Sequence, residues 1–395
     1  MGMNRLKGSW LEQLTARAAK PSRLVAGVLS GTSMDSVDVA LCGISETHTV
    51  KLIGFHQEPY APALRNRLRS LETLTVRDIS ELHTLLGESF AAACLHAFQT
   101  FNVRAEDVDL IGSHGQTVYH HSAVPGAMRS TLQLGDADVI AARTGIAVIA
   151  DFRARDIACG GEGAPLTPYA DRIFYQLDDS AHRAILNLGG IANLTFIERG
   201  PGGAIVGFDT GPANAPLDRL ARILSQGRLA CDLDGAFARA GQVNIEALQW
   251  LLRDDYLLAP PPKSTGFERY GDAFLEELLA RYGPVSTDLI ATLTEFVARS
   301  VSDAMRDFVW PRADVTEIVL AGGGGRNPEL RRRLADAVAP AVLVDSESLG
   351  VPGQAREAMA FALLAHDALL GLPTSLPSVT GASQPTVLGK LSFPA

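Results

Sequence analysis

Apolar positions along this chain fall into short runs and alternations, broken by glycine-rich turns. Leu24, Val25, Val28 and Leu29 form the first run, and Ser30-Gly31-Thr32-Ser33 interrupt it. Val37, Val39 and Leu41 then alternate with Asp38 and Ala40. That spacing predicts a strand, a tight turn and a returning strand, and residues 51–55 continue the pattern. Residues 61–101 have helical texture: Leu82, Leu85, Leu86, Phe90 and Cys94 recur at three- and four-residue steps, as a core-facing stripe does. Short buried strands are predicted at 108–111, 131–135 and 146–150, with a helix at 136–144. A second glycine hairpin follows, with strands at 184–188 and 191–197 around Gly189-Gly190. Further strands fall at 206–211, 318–320 and 341–345, and helices at 214–225, 234–258, 291–308 and 354–370. Strands alternating with helices predict an α/β fold. The two hairpins lie about 160 residues apart, which suggests a weak repeat: two related domains, each offering a hairpin tip to a shared cleft.

At 395 residues the chain is too long for one ordinary core. The expected division is an extension over 1–22, expected to be flexible, a first domain over 23–175 and a second over 176–395. Net charge is −9 and the basic residues are scattered, which argues against a nucleic-acid partner or an anionic membrane surface. Cys42, Cys94, Cys159 and Cys231 are far apart and read as buried thiols of a reducing compartment. No stretch has the length and apolarity of a membrane span, and residues 1–22 lack the apolar core of a signal peptide, so the cytoplasm is the expected location.

Candidate chemistry sits in the turns. Ser30, Gly31, Thr32 and Ser33 combine hydroxyls with open backbone N–H groups, a cradle suited to phosphate oxygens. Asp35 lies just past that tip, placed to face a metal ion or its waters. His114, Gly115 and Gln116 form a polar cluster after a buried strand, where α/β proteins place ligand contacts. His114 also reads as a hydrogen-bonded loop histidine. Gly160-Gly161-Glu162-Gly163 follows the charged run 151–156 and suits a substrate loop or a solvated linker. Asp209 ends an apolar strand before a glycine turn, a fixed orientation that a general base needs. Asn214 is the better-placed cap for the next helix. Lys263 either meets a charged ligand or solvates a loop. Strand, four glycines and helix over 318–330 is a nucleotide-contact pattern. Glu357 either complements its helix dipole or faces a cleft. No P-loop, dinucleotide fingerprint, nucleophile elbow or zinc motif is present, while a Mg²⁺ site built on one carboxylate and phosphate stays compatible.

Ten strings carry a more specific signal: GVLSGTSMDSVDVAL, SHGQTVYH, LQLGDADVIAARTGI, DFRARDIACGGEGAPLTP, NLGGIANLT, GFDTGPAN, PPKSTG, ATLTEF, AGGGGRNPEL and EAMAFALLA. In this order, over about residues 24–390, they resemble the anhydro-N-acetylmuramic acid kinase family of the sugar kinase, hexokinase, acetate kinase and actin superfamily. The resemblance implies two actin/hexokinase-like (ribonuclease H-like) domains around an ATP and substrate cleft. It implies ATP and Mg²⁺ as cofactors, and 1,6-anhydro-N-acetylmuramic acid as the small-molecule substrate. The product would be N-acetylmuramic acid 6-phosphate, in peptidoglycan recycling. Asp209 would be the general base on water, and Glu357 would help position sugar and water. Ser30, Gly31, Thr32, Ser33, Gly189 and Gly190, with Asn193 of the same string, would hold ATP phosphates, and Asp35 the metal. Gly322, Gly323, Gly324 and Asn327 would contact adenosine. His114, Gly115, Gln116, Arg153 and Asp156 would line the sugar pocket, with Arg153 paired to the lactyl carboxylate. A homodimer is the family expectation. Ser36, Ala213 and Glu162 stand where the family commonly has glycine, glycine and glutamine. The rival readings are a kinase of this fold for another anhydrosugar, and a nucleotide-binding regulator with slow ATPase activity.

Overall fold

The computed structural model describes residues 9–31, 33–70, 73–121, 128–175, 182–198 and 203–394. They cluster into two compact units: the residues up to Phe174 with those from Ala355 onward, and Tyr175–Gln354.

In the first unit, β1 (Ser22–Ser30), β2 (Ser36–Ser45) and β3 (Val50–Pro59) form an antiparallel meander. β4 (Leu110–His121) lies parallel to β1 on its other side, β5 (Ser130–Leu134) is antiparallel to β4, and β6 (Val148–Ala150) is parallel to β4. In the second unit, β7 (His182–Leu188), β8 (Ile191–Ile197) and β9 (Ile205–Pro212) form another antiparallel meander. β10 (Val315–Ala321) runs parallel to β7, and β11 (Val342–Asp345) parallel to β10. Both sheets share one plan: the meander runs third, second, first, and parallel strands follow on the far side of the first, β4 and β6 in one sheet and β10 and β11 in the other, with β5 and β12 as additions to the first sheet. This is the ribonuclease H-like plan of actin- and hexokinase-type domains, and it makes the weak sequence repeat a structural one.

The last stretch of chain departs from expectation. The second domain was expected to run from 176 to 395, yet the residues from Ala355 onward cluster with the first unit. β12 (Lys390–Ser392) pairs antiparallel with β6 there, and the helix Arg356–Leu369 packs on β1, β2 and β4. Period-two alternation puts Ala26 and Val28 on one face of β1 and Gly27 on the other. The first pair joins the core under the helix Val76–Thr100. Gly27 faces the C-terminal helix, where a Cβ would collide with the Ala358 carbonyl; one on Gly112 of β4 would meet the Phe361 carbonyl. The two glycines thus let that helix lie directly on the strands, which sets the depth of its first turn. Covered on both faces, β1 is buried almost throughout.

The first segment is less loose than expected. Ser9 and Glu12 form a capping box for the helix Trp10–Ala18. Arg17 donates to the Asp109 carbonyl (2.6 Å), and Lys20 pairs with the Asp109 carboxylate. Residues 1–8 lie outside the described residues.

Several predicted helices are divided by caps. The run 61–101 is two helices, Pro62–Leu68 and Val76–Thr100, the second started by a Thr75–Asp78 capping box. Leu85, read into its buried stripe, is exposed. Residues 234–258 hold three short helices, two of them capped by Asn244 and Asp254. In the second unit Phe296, Val297 and Val301 of the helix Thr287–Ala304 join Phe208, Leu186 and Leu194 in one core. Of the four thiols, Cys42 and Cys94 are buried as expected, but Cys159 is half-buried and Cys231 exposed. Among the described residues, no helix is long and apolar enough to cross a membrane.

Candidate active site

In the first unit the turn after β1 is held from behind. Ser30 donates to Gln116 Oε1 (2.6 Å), and Gln116 Nε2 donates to the Gly31 carbonyl (3.3 Å). Gln116 is buried, so its amide supports the turn itself. Thr32 lies outside the described residues. Asp35 is exposed just past the turn, and its carboxylate accepts from Ser33 (2.7 Å) and Ser36 (3.3 Å). One exposed hard oxygen donor fits Mg²⁺, which keeps most of its waters and needs few protein ligands.

The cluster at 113–117 is not a loop. β4 continues through it, with a bulge: Val28 pairs with Ser113 and Leu29 with Gly115, leaving His114 as the extra residue. Gly115 has φ +81°, and a Cβ there would come 2.7 Å from the Leu134 carbonyl. A bulge re-aims one side chain without ending the strand. It turns the His114 ring onto Phe361 of the C-terminal helix, centroids 4.5 Å apart. Arg153 Nε donates to His114 Nε2 (3.0 Å), so the remaining proton sits on Nδ1, which faces the Gly115 carbonyl (3.0 Å). Burial, then the neighbouring Arg153 charge, hold the imidazole pKa well below its ordinary value. His114 is therefore a neutral strut under Arg153.

Arg153 also donates through Nη1 to the Gly163 carbonyl (2.8 Å). Burial pulls its guanidinium to about 10, against the charges of Glu357 and Asp156, so it stays cationic at neutral pH. Asp156, expected in the sugar pocket, is fully buried. Its carboxylate accepts from Ser375, from Thr380 (2.8 Å) and from the Gly163 N–H (2.8 Å), so it holds the 160–166 loop from within. Glu357, half-buried in the first turn of its helix, acts electrostatically on both Arg153 and Asp38. Asp38 escaped the sequence reading. Burial, then Glu357 and Asp35, raise its carboxyl pKa, while Gln57 (2.9 Å) and Ser36 (3.4 Å) donate to it and lower it. Its signal was a charged residue amid the otherwise apolar alternation of β2.

In the second unit Asp209 lies within β9, not at its end. Asn193, expected at phosphate, sits opposite on β8 and donates to Asp209 Oδ1 (2.9 Å). The Thr265 N–H donates to Oδ2 (2.9 Å). Burial nevertheless dominates these contacts and pushes the carboxyl up to about 6. Its hydrogen bonds and the Lys263 charge favour the ionised form, and desolvation outweighs them.

Lys263 is half-buried and its ammonium is bonded within its own unit. Its ammonium donates to the carbonyls of Tyr256 (3.0 Å) and Leu257 (2.9 Å). It also lies 4.9 Å from the Tyr256 and Phe308 ring centroids. Burial pulls it to about 8. The Lys263 carbonyl accepts the Asp209 N–H (3.2 Å), and the Tyr256 hydroxyl donates to the Asp209 carbonyl (3.0 Å). The lysine thus fixes the segment that brackets Asp209, and its charge favours the ionised carboxylate. Lys263→Met should loosen the segment around Asp209 and lower kcat by about tenfold to a hundredfold, the range that small misplacements at a site cost. It should also move the acidic limb of the pH–rate profile to higher pH, and the profile against wild type checks both.

The β7–β8 tip is Gly189-Gly190, and its carbonyls accept the N–H groups of Asn214 (3.0 Å) and Ala213 (2.9 Å). Ala213, not Asn214, is the cap of the helix Asn214–Leu224; Asn214 instead donates to the Leu188 carbonyl (2.9 Å). Gly322 (φ +80°) and Gly324 lie against that tip, where a Cβ would come 2.8 Å from the Leu188 carbonyl and 2.7 Å from Asn214 Oδ1 respectively. Gly323 stands open, with nothing near a Cβ. Asn327, expected at adenosine, spends its side-chain oxygen capping the helix Pro328–Val338 through the N–H groups of Glu329 and Leu330 (both 3.1 Å).

The three departures from the family strings are accommodated locally. Ser36 hydrogen-bonds Asp35 and Asp38, Ala213 is fully buried, and Glu162 pairs with Arg129 (3.1 Å).

Two domains of this plan in one chain define a fold class, the actin- and hexokinase-type fold. A family model described as anhydro-N-acetylmuramic acid kinase matches residues 23–394. A protein of that name from Caldanaerobacter subterraneus subsp. tengcongensis is 38% identical over 95% of this chain and 98% of its own. Another from Salinibacter ruber is 41% identical over 97% of this chain and all of its own. The chain belongs to the anhydro-N-acetylmuramic acid kinase family and is a kinase.

Proposed function

We propose that this chain opens 1,6-anhydro-N-acetylmuramic acid with water and phosphorylates it from ATP in one coupled reaction. Water adds to the anomeric carbon as the C1–O6 bond breaks. O6 takes the γ-phosphoryl group, the bond to the β-phosphate oxygen breaks, and ADP leaves. Asp209 accepts the proton that water loses. The observation that carries this reading is the Asp209 carboxylate, fixed by Asn193 and the Thr265 N–H and poised at about 6. A general base works best with a pKa near the operating pH.

Glu357 orients the sugar and the water. Arg153, braced by His114 and Gly163, pairs with the lactyl carboxylate. The turns at Ser30–Gly31 and Gly189–Gly190 present N–H groups to the phosphates, and Gly323, which stands open, admits adenosine. Asp35 holds Mg²⁺, which when bound neutralises phosphate charge. A homodimer in the cytoplasm completes the reading and rests on family membership.

The lactyl carboxylate provides the test. Arg153→Ala should raise KM for the muramic substrate about 10- to 100-fold, the loss of one charge-assisted contact. The matching anhydrosugar without the lactyl group should lose far less. Equal losses on both sugars would assign Arg153 to the loop alone and leave the carboxylate unexplained.

A further inference from the structure

Among the described residues, two clusters of histidine and carboxylate lie away from the groups assigned above, His48–His366–Asp367 and His56–Glu58–His96. Their surroundings decide between them. In the first, Arg23 Nη1 donates to His366 Nε2 (2.8 Å). A guanidinium cannot accept, so the His366 proton sits on Nδ1 and goes to Asp367 Oδ1 (2.7 Å). His48 Nε2 (2.8 Å) and the Tyr169 hydroxyl (2.6 Å) donate to the same carboxylate. A metal ion there would have to take the last proton of His366 and sit beside a buried guanidinium. That cluster is a closed polar network.

The second is built differently. His56 and Glu58 are two residues apart on β3 and so share a face. His96 comes from the helix Val76–Thr100 that covers it. His56 Nε2 (2.9 Å) and His96 Nδ1 (2.7 Å) converge on one atom, Glu58 Oε2, with ring centroids 4.8 Å apart. The His96 side chain is 58% exposed, which opens the cluster to solvent. The two imidazoles are the neighbouring groups that act most strongly on Glu58.

We propose that His56, Glu58 and His96 form a surface site for a divalent transition-metal ion of the zinc class. Two imidazole nitrogens and one carboxylate oxygen are the donor types that such ions take. Each imidazole presents a lone pair by moving its proton to its other nitrogen, so the site forms without net loss of protons from neutral rings. Bonds of about 2.0–2.1 Å at tetrahedral angles set ligand atoms about 3.3 Å apart; the two nitrogens need part from Glu58 Oε2 by about half an ångström, and all three ligand atoms lie within 4.8 Å of one another. The remaining position takes water. β3 is the edge of the first sheet, so a bound ion would tie that edge to its covering helix.

The test is a titration of chelator-treated full-length protein with Zn²⁺ alone, against a chromophoric competitor. It is repeated with Co²⁺, whose visible spectrum reports coordination geometry. One equivalent should bind with micromolar affinity and give a tetrahedral Co²⁺ spectrum. His96→Ala and Glu58→Gln should each weaken binding at least about tenfold, as loss of a ligand requires. His48→Ala should leave binding unchanged, and His96→Ala should leave kinase activity unchanged. Zn²⁺ uptake that is no weaker in His96→Ala, or that is lost in His48→Ala, would overturn the proposal.

Discussion

Asp209→Asn lowers kcat by about 10²- to 10⁴-fold, the usual contribution of a positioned general base. The change is nearly isosteric, so the effect reports chemistry more than shape. Asn193 and the Thr265 N–H both donate to this side chain. An amide offers a single acceptor oxygen, so one donor loses its partner at about 1–3 kcal/mol. That cost is visible in a urea titration and is too small to account for the kinetic loss. The wild-type enzyme shows the same group by its pH dependence. Burial favours the protonated carboxyl and raises it to about 6. The working, ionised form is therefore present above that value and lost as pH falls through it. kcat/KM should fall about tenfold per unit below pH 6 and be flat above, and Asp209→Asn should abolish that limb. A profile flat down to pH 4.5 would remove Asp209 from the base role.

Asp171→Ala destabilises the fold by about 3–5 kcal/mol, the cost of breaking a buried ion pair on one side. Arg356 donates through Nε (2.7 Å) and Nη2 to the two Asp171 oxygens, and both side chains are at most 2% exposed. The pair ties the first turn of the C-terminal helix to the helix Thr167–Phe174, one residue before Glu357. Loss of Asp171 should therefore cost activity as well as stability. Replacing both partners with apolar residues of similar volume should recover most of the stability, because no charge is then left buried. Urea midpoints of the single and double variants measure this. A single variant within 1 kcal/mol of wild type would show that the pair contributes little to the fold.

The elements that a local pattern defines were legible. The meander of each half shows in period-two alternation, and Gly189-Gly190 marks its hairpin directly. Long-range pairing was not legible. Nothing in residues 390–392 tells that they return to pair with β6, because a three-residue edge strand carries almost no signal. β4 runs on through His114 because a bulge with one positive-φ glycine keeps the ladder, whereas glycines beside polar residues ordinarily signal a loop. At the site, the sequence shows which polar groups lie near turns but not which are already taken. Asp156, Asn193 and Asn327 each looked ready to meet a ligand. Each also makes hydrogen bonds inside its own unit, to a loop, to Asp209 and to a helix end. Asp209 was readable as a fixed carboxylate at a glycine turn. Its raised pKa was not, since burial depends on Tyr256 and the 263–265 segment, brought from some fifty residues away.

Coupled water addition and phosphoryl transfer is the central claim, and the fate of the water oxygen tests it. The protein is incubated with Mg-ATP and 1,6-anhydro-N-acetylmuramic acid in heavy-oxygen water, quenched early, and the product's mass is taken. The account predicts one phosphate and one heavy oxygen on the sugar, with neither formed by Asp209→Asn. A phosphorylated sugar without the heavy oxygen would contradict it, because the acceptor would then be a hydroxyl already present and no water would need a base.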